Sequence, residues 1–296
     1  MSSSLTVVGT GITAISQLTL EAEHCLCNAD KVFYLVTDKE TEELIKKLNV
    51  SSESLIGYYG VGKQRLQTYM EMVDAMLKPV REGKSVCAAF YGHPGVFVYP
   101  SHEAIVQARK EGYPAKMLPA VSTEDIMIAD LGVDPGQSGF QTYEATAFLL
   151  CAPVYDPRVP LVLWQVGVIG QTTHEVHLKN ERLQILADNL TVVYGEKHNI
   201  ILYQASPYGN VAPRIHRCTL GELGAQTINA VTTMYIPPKE ILKVDHAMEK
   251  VMGVNAGEFS MSKSKMIRLP TEPYGITFPE QKGYVTFVGD SDIVRG

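Results

Sequence analysis

Residues 85–112, SVCAAFYGHPGVFVYPSHEAIVQARKEG, pass from an unbroken apolar run through Gly92, Pro94 and Gly95 into a helical pattern. A short apolar run bounded by turn residues predicts a strand buried on both faces, here 85–92, and HEAIVQARKE predicts a helix capped by Ser101. The pair is a strand–loop–helix unit, and open α/β sheets bind ligands at the carboxyl ends of their strands. Gly92 and Gly95 let backbone approach a ligand closely or take up φ > 0, while Pro94 stiffens the loop between them. The loop is therefore built to hold one shape. His93 stands inside it with no second metal ligand at a matching spacing, so a hydrogen-bonding or packing role is expected for it.

Outward from this unit, β-branched runs at 5–9, 31–36, 115–119, 141–145, 161–167, 199–205 and 230–236 alternate with amphipathic helical patterns. That alternation predicts an α/β protein with mostly parallel strands. The segment 65–82 places Leu66, Tyr69, Met70, Val73, Met76, Leu77 and Val80 at helical spacing, with Pro79 expected to bend its last turn. Ser122-Thr-Glu-Asp125 resembles a capping box opening a helix. EGYPAKMLP at 111–119 reads as a junction. The expected organisation is two α/β domains, 1–113 and 114–239, with a ligand cleft between them. A polar, Pro- and Gly-punctuated arm follows at 240–282, then a tail at 283–296.

The 296 residues carry a formal charge of −6 with no Lys/Arg block, which argues against a nucleic-acid partner. No stretch approaches a membrane span, and MSSSLTVVG lacks the features of a signal peptide, so a cytoplasmic protein with no membrane partner is expected. Cys25, Cys27, Cys87, Cys151 and Cys218 show no ligand spacing and read as reduced packing residues. His174-x-x-His177 lacks a third ligand, so no metal is expected. Gly9-Thr-Gly11-Ile-Thr-Ala14 formally fits G-x-G-x-x-A, but any parallel α/β fold needs a tight first turn, and Asp38 lies late for a ribose-binding acid. Trp164 reads as strand core.

GTGI at 9–12, YGHPGVF at 91–97 and PAVSTED at 119–125 resemble, in order, elements of the tetrapyrrole (corrin/porphyrin) methyltransferase superfamily of S-adenosylmethionine enzymes. The superfamily loop usually reads Gly-Asp-Pro where His93 stands here. With YYGVGKQRLQTY (58–69), LVLWQVG (161–167) and AVTTMYIPPK (230–239), the chain is similar to a narrower branch, the borosin-type peptide backbone α-N-methyltransferases. The resemblance runs from residue 5 to about 240. It implies a methyl donor held between the domains and a homodimer whose arms wrap the partner. It also implies donor contacts from Tyr91, His93, Val96, Phe97, Ser122, Thr123, Gln165, Ala205, Val231, Thr232 and Thr233. Free N–H groups near Ser101 and Ser122 would suit a polar ligand edge.

Methylating an amide nitrogen requires weakening its delocalisation or removing its proton, and stabilising charge on the carbonyl oxygen. Tyr58, Tyr59, Arg65 and Tyr69 lie within twelve positions, and Arg65 and Tyr69, at i and i+4, share a helical face. Arg65 and a tyrosine hydroxyl are expected to hydrogen-bond the developing oxyanion. A tyrosine with a lowered pKa is the expected proton acceptor. In the borosin pattern Arg65, Tyr59, Tyr69 and Tyr91 match functional positions, whereas Ile56 replaces a tyrosine found in some relatives. The β-prone run Tyr284-Val-Thr-Phe-Val288 suggests that the tail is a fused substrate, methylated by the partner subunit. The alternatives are a separate precursor peptide, a tetrapyrrole-like small molecule, whose carboxylates would call for several cations in the cleft, and a non-catalytic binding module.

Overall fold

The computed structural model describes residues 3–175 and 181–258. The expected arm beyond residue 258, the tail at 283–296 and His177 lie outside the described residues.

The first half builds β1 (Ser4–Gly9), α1 (Leu20–Asn28), β2 (Lys31–Leu35), α2 (Lys39–Leu48), β3 (Ser52–Ser54), α3 (Arg65–Arg81), β4 (Ser85–Phe90), α4 (Tyr99–Lys110) and β5 (Ala115–Met117). The strands form one parallel sheet in the order β3-β2-β4-β1-β5. Every residue of β4 is buried, as its continuous apolar run requires of a central parallel strand. Because β5 pairs with β1, the first sheet extends past residue 113. α3 packs Met72, Val73, Met76, Leu77 and Val80 on this sheet, while Leu66 faces solvent at 59 % exposure. The helix runs through Pro79 to Arg81.

The second half builds α5 (Thr123–Leu131), α6 (Pro135–Ser138), β6 (Gln141–Glu144), α7 (Ala145–Cys151), β7 (Leu161–Trp164), α8 (Arg182–Tyr194), β8 (Asn199–Gln204), β9 (Arg214–Thr219), β10 (Thr233–Ile236) and α9 (His246–Met252). Its sheet has the order β6-β7-β10-β8-β9. Here the expectation of mostly parallel strands fails. Among the described strands of this sheet only β6 and β7 pair in parallel; β10 lies antiparallel between β7 and β8, with β9 antiparallel outside β8. An apolar run such as TMYI in β10 reports burial on both faces and carries no information about strand direction. The edge strand β9 (RIHRCT) escaped the sequence pattern because its side chains are largely polar and exposed, and β3 (SES) because it is polar and three residues long.

Two further local readings change. Ser101 does not cap α4: the helix starts at Tyr99, with Pro100 in its first turn, and Ser101 lies fully buried inside it. GTGI does not turn directly into a helix either, since α1 begins only at Leu20. All five cysteines are free, and Cys27 and Cys151 are exposed rather than packed. Among the described residues no helix is long and apolar enough to cross a membrane.

Candidate active site

The carboxyl end of β4 delivers Tyr91 and the loop that opened the sequence reading. Gly92 N–H donates to Gly11 O at 2.9 Å and Gly11 N–H to Gly92 O at 3.4 Å, so the two glycine loops are laced together. They abut because Gly9 has no side chain: a Cβ there would fall 2.2 Å from Gly92 O. Within the loop, His93 Nδ1 accepts from Gly95 N–H at 2.9 Å. An aspartate carboxylate can accept from a backbone N–H two residues on in the same way. The acceptor role leaves the neutral ring's proton on Nε2. The buried Ser101 hydroxyl faces the carbonyls of Pro94 and Val98 and ties the loop to α4. Phe97 is left-handed (φ 57°) and half exposed, with its ring centroid 5.8 Å from that of the buried Trp164 in the other domain.

The second sheet presents its own edge. Since β10 is antiparallel, with Met234 opposite Leu163 and Thr233 opposite Tyr203, its amino end lies beside the carboxyl ends of β7 and β8. Gln165, Ala205 and Val231 to Thr233 are therefore brought to one edge. Gln165 is left-handed (φ 59°). Behind it Gly167 is so close to the next turn that a Cβ would lie 2.0 Å from Asn229 O. Thr232 is buried, and its hydroxyl is taken by Gln204 Nε2 at 2.8 Å and Asn229 N at 3.2 Å. It shapes the turn that exposes Val231. Thr233 is buried as the first residue of β10.

Ser122 caps α5, and Thr123 is that helix's first residue, half-buried. The cap is complete: Asp125 Oδ2 accepts from Ser122 N–H at 2.7 Å, and Ser122 Oγ accepts from Asp125 N–H at 3.3 Å. The amides of Ser122 and Asp125 are thus engaged, and Ser101 N–H donates to Val98 O at 3.2 Å, so these three are not among the free N–H groups expected at the two helix starts. The two sheet edges meet where Ala14 N–H donates to Pro207 O at 2.8 Å, besides the Phe97–Trp164 contact.

Arg65 opens α3, Tyr69 lies one turn later, Tyr58 ends the 3₁₀ turn Leu55–Tyr58, and Tyr59 follows it. Tyr59 lies within electrostatic reach of both Tyr69 and the Arg65 charge. Tyr69 stacks on Tyr99 with centroids 6.0 Å apart. Burial, with Tyr69 adding to it and Arg65 opposing it, pushes the Tyr59 phenol up to about 12. Burial and the Asp38 charge push Tyr91 up to about 12. Tyr58 is also raised, by burial and by Glu53 and Glu71. The expected lowered tyrosine pKa is thus reversed: the low-dielectric pocket disfavours phenolate more than one arginine favours it. These phenols are hydrogen-bond donors.

With this geometry in place, comparison with known proteins is decisive. The family model for Tetrapyrrole (Corrin/Porphyrin) Methylases matches residues 4–223. The chain belongs to the tetrapyrrole methylase family. Within it the chain groups with the borosins: it is 38 % identical, over 98 % of its length and 75 % of the relative, to a methyltransferase/ribosomally synthesized type I borosin cyclic peptide precursor of Coprinopsis marcescibilis. It is 42 % identical to the corresponding gymnopeptide methyltransferase/precursor of Gymnopus fusipes, over 80 % of this chain but only 58 % of that protein. The omphalotin A methyltransferase/precursor of Omphalotus olearius is 43 % identical, again over 58 % of its length. The chain thus spans little more than half of several relatives it matches. The crystal structure of uroporphyrin-III-C-methyltransferase from Thermus thermophilus superimposes with TM-score 0.56 over 83 % of this chain and 100 % of that one, at 18 % identity. Cobalt precorrin-4 methyltransferase does so with TM-score 0.56 over 80 % of this chain and 95 % of its own, also at 18 %. At that identity the likeness concerns the methylase fold alone.

Several residues hold these sheet edges in place without having stood out in the sequence. Asn229 and Gln204 hold the turn before β10. Asp130 accepts from Tyr203 OH at 2.6 Å, and Tyr203 lies within electrostatic reach of Tyr91. The 172–174 segment binds α3 from the other domain. No motif announces these, because each acts through a neighbour distant in sequence.

Proposed function

We propose that the protein is an S-adenosylmethionine-dependent N-methyltransferase of peptide backbone amides, acting in the biosynthesis of a ribosomally made, modified peptide. We further propose that it works in the cytoplasm as a homodimer on its own 283–296 tail. The observation that carries this is the grouping of Arg65 with Tyr59 and Tyr69, the last stacked on Tyr99 just past the Tyr91–Phe97 loop.

The donor set fits the cofactor. His93, Val96, Phe97, Gln165, Ala205 and Val231 offer neutral polar groups, apolar surface and backbone amides at the meeting sheet edges, suited to an adenosyl group with a zwitterionic amino-acid end. S-Adenosylmethionine, when bound, supplies an electrophilic methyl group and leaves as S-adenosylhomocysteine. The chain's own part is electrostatic. Arg65 and the phenol of Tyr59 or Tyr69 donate to the amide oxygen, where negative charge gathers as the nitrogen lone pair is freed, and such donors are worth about a hundredfold to a thousandfold each. Because Tyr59 and Tyr91 sit near 12, they remain protonated donors at neutral pH. The amide proton must leave by another route as the N–C bond forms.

A tetrapyrrole substrate is the weaker reading. Lys63, the other cation of the motif region, is spent on Glu71 and the Tyr58 carbonyl, leaving Arg65 to face several carboxylates. The test is tandem mass spectrometry of the purified protein incubated with S-adenosylmethionine. Methyl groups on amides within 283–296, lost in Arg65→Ala, are expected. Methylation of a supplied precursor peptide but not of the tail would move the substrate to a separate chain; methylation of neither would end the proposal.

A further inference from the structure

We propose that the 172–174 segment of the second domain is a positioning element for the catalytic cluster, and that His174 acts through Tyr59. This rests on the functional reading of Arg65 and Tyr59 given above.

α3 carries no cap of its own. Its N-cap residue, Gln64, makes no side-chain capping hydrogen bond, although the first N–H groups of any helix lack intrahelical partners. The missing partner arrives from the other domain: Arg65 N–H donates to Thr172 O at 2.9 Å. The same segment pairs Gln64 with Thr173 as an isolated antiparallel bridge. It accepts from Gly62 N–H on His174 O at 2.8 Å and donates from His174 N–H to Lys63 O at 3.0 Å. The Arg65 side chain is held as well, its Nε donating to Thr173 O at 3.4 Å. One guanidinium edge is thus aimed by a backbone carbonyl, leaving the remaining N–H groups for a substrate oxygen.

His174 reaches further. Its ring lies over Tyr59 with centroids 5.2 Å apart and planes at 46°, a tilted packing arrangement. The phenol of Tyr59 is raised chiefly by burial, and the His174 ring is part of what covers it. A segment held to 62–65 by three backbone hydrogen bonds, two of them on His174 itself, makes its ring a stiff wall, and the placement of a donor to a developing oxyanion is sensitive to shifts of about an ångström, worth up to about a hundredfold in rate.

The experiment uses the full-length protein with His174→Ala and His174→Phe, each compared with Tyr59→Phe. Single-turnover methyl transfer, S-adenosylhomocysteine affinity by calorimetry, and Tyr59 ionisation by NMR of ring-labelled tyrosine are measured. His174→Ala is expected to slow transfer about tenfold or more, leave S-adenosylhomocysteine affinity unchanged, and lower the Tyr59 titration midpoint. His174→Phe restores both transfer and midpoint. Wild-type transfer and an unmoved midpoint in His174→Ala would overturn the proposal. So would His174→Phe behaving like His174→Ala, which would assign the effect to the imidazole nitrogens. Should the wild type methylate no peptide at all, the functional reading fails, while the Tyr59 midpoint still decides whether His174 shields it.

Discussion

Tyr59 and Tyr91 show how burial redirects a residue's chemistry. The ordinary phenol pKa of 10.0 rises to about 12 for both, so the unfolded chain releases these protons first as pH increases. Stability from the pair is fully present below pH 10 and declines between 10 and about 12. Denaturant unfolding across that window should show the decline, and Tyr59→Phe or Tyr91→Phe should flatten it in part, the other phenols and thiols raised by burial, among them Tyr194, Tyr203, Tyr235 and Cys218, retaining the rest. Arg65→Lys keeps the charge but loses the planar fork that meets Thr173 O and, on the proposed function, a substrate oxygen as well. Single-turnover transfer should therefore fall by about a hundredfold, with S-adenosylhomocysteine affinity unchanged in calorimetry. That Arg65 and Tyr69 share a helix face was legible in their spacing. That the phenols are donors was not, because burial depends on what the rest of the chain brings near.

At the scale of elements, small residues shape the loops at the two sheet edges. Gly167→Ala would push a methyl into Asn229 O, displacing the turn that presents Val231. The expected result is a melting temperature lowered by several degrees, for about 1–3 kcal/mol of overpacking, and weaker S-adenosylhomocysteine binding. Ser101→Ala frees the Pro94–Val98 loop from α4, with an expected cost of about 1–2 kcal/mol in urea unfolding. The glycines and proline at 92–95 announced a shaped loop in the sequence, and the structure contains one. Ser101 looked like a cap and is instead a buried tether, because Pro100 is tolerated in a helix's first turn and so permits the start at Tyr99.

Across the whole molecule, the two sheets are clasped at separate points: the bridge between Gln64 and Thr173, Phe97 on Trp164, and Ala14 against Pro207. The proposed dimer makes a prediction at this scale. An Arg65→Ala chain bearing the tail, mixed with an active chain ending at residue 282, should acquire methyl groups on its tail if catalysis crosses between subunits. An unmodified tail in the mixture, with the wild type modified, would place the reaction within one subunit.

The sequence by itself determined that the chain is α/β, that a structured loop ends its central strand, and which residues match the methylase pattern. These follow from periodicity, from glycine and proline geometry, and from motif order, all local properties of the chain. Tertiary structure decided the antiparallel course of β10, the raised phenols and the support of Arg65 by 172–174. Each depends on neighbours far apart in sequence: strand direction is set by which ladder receives the hydrogen bonds, and a pKa by the dielectric and charges that folding assembles around the group.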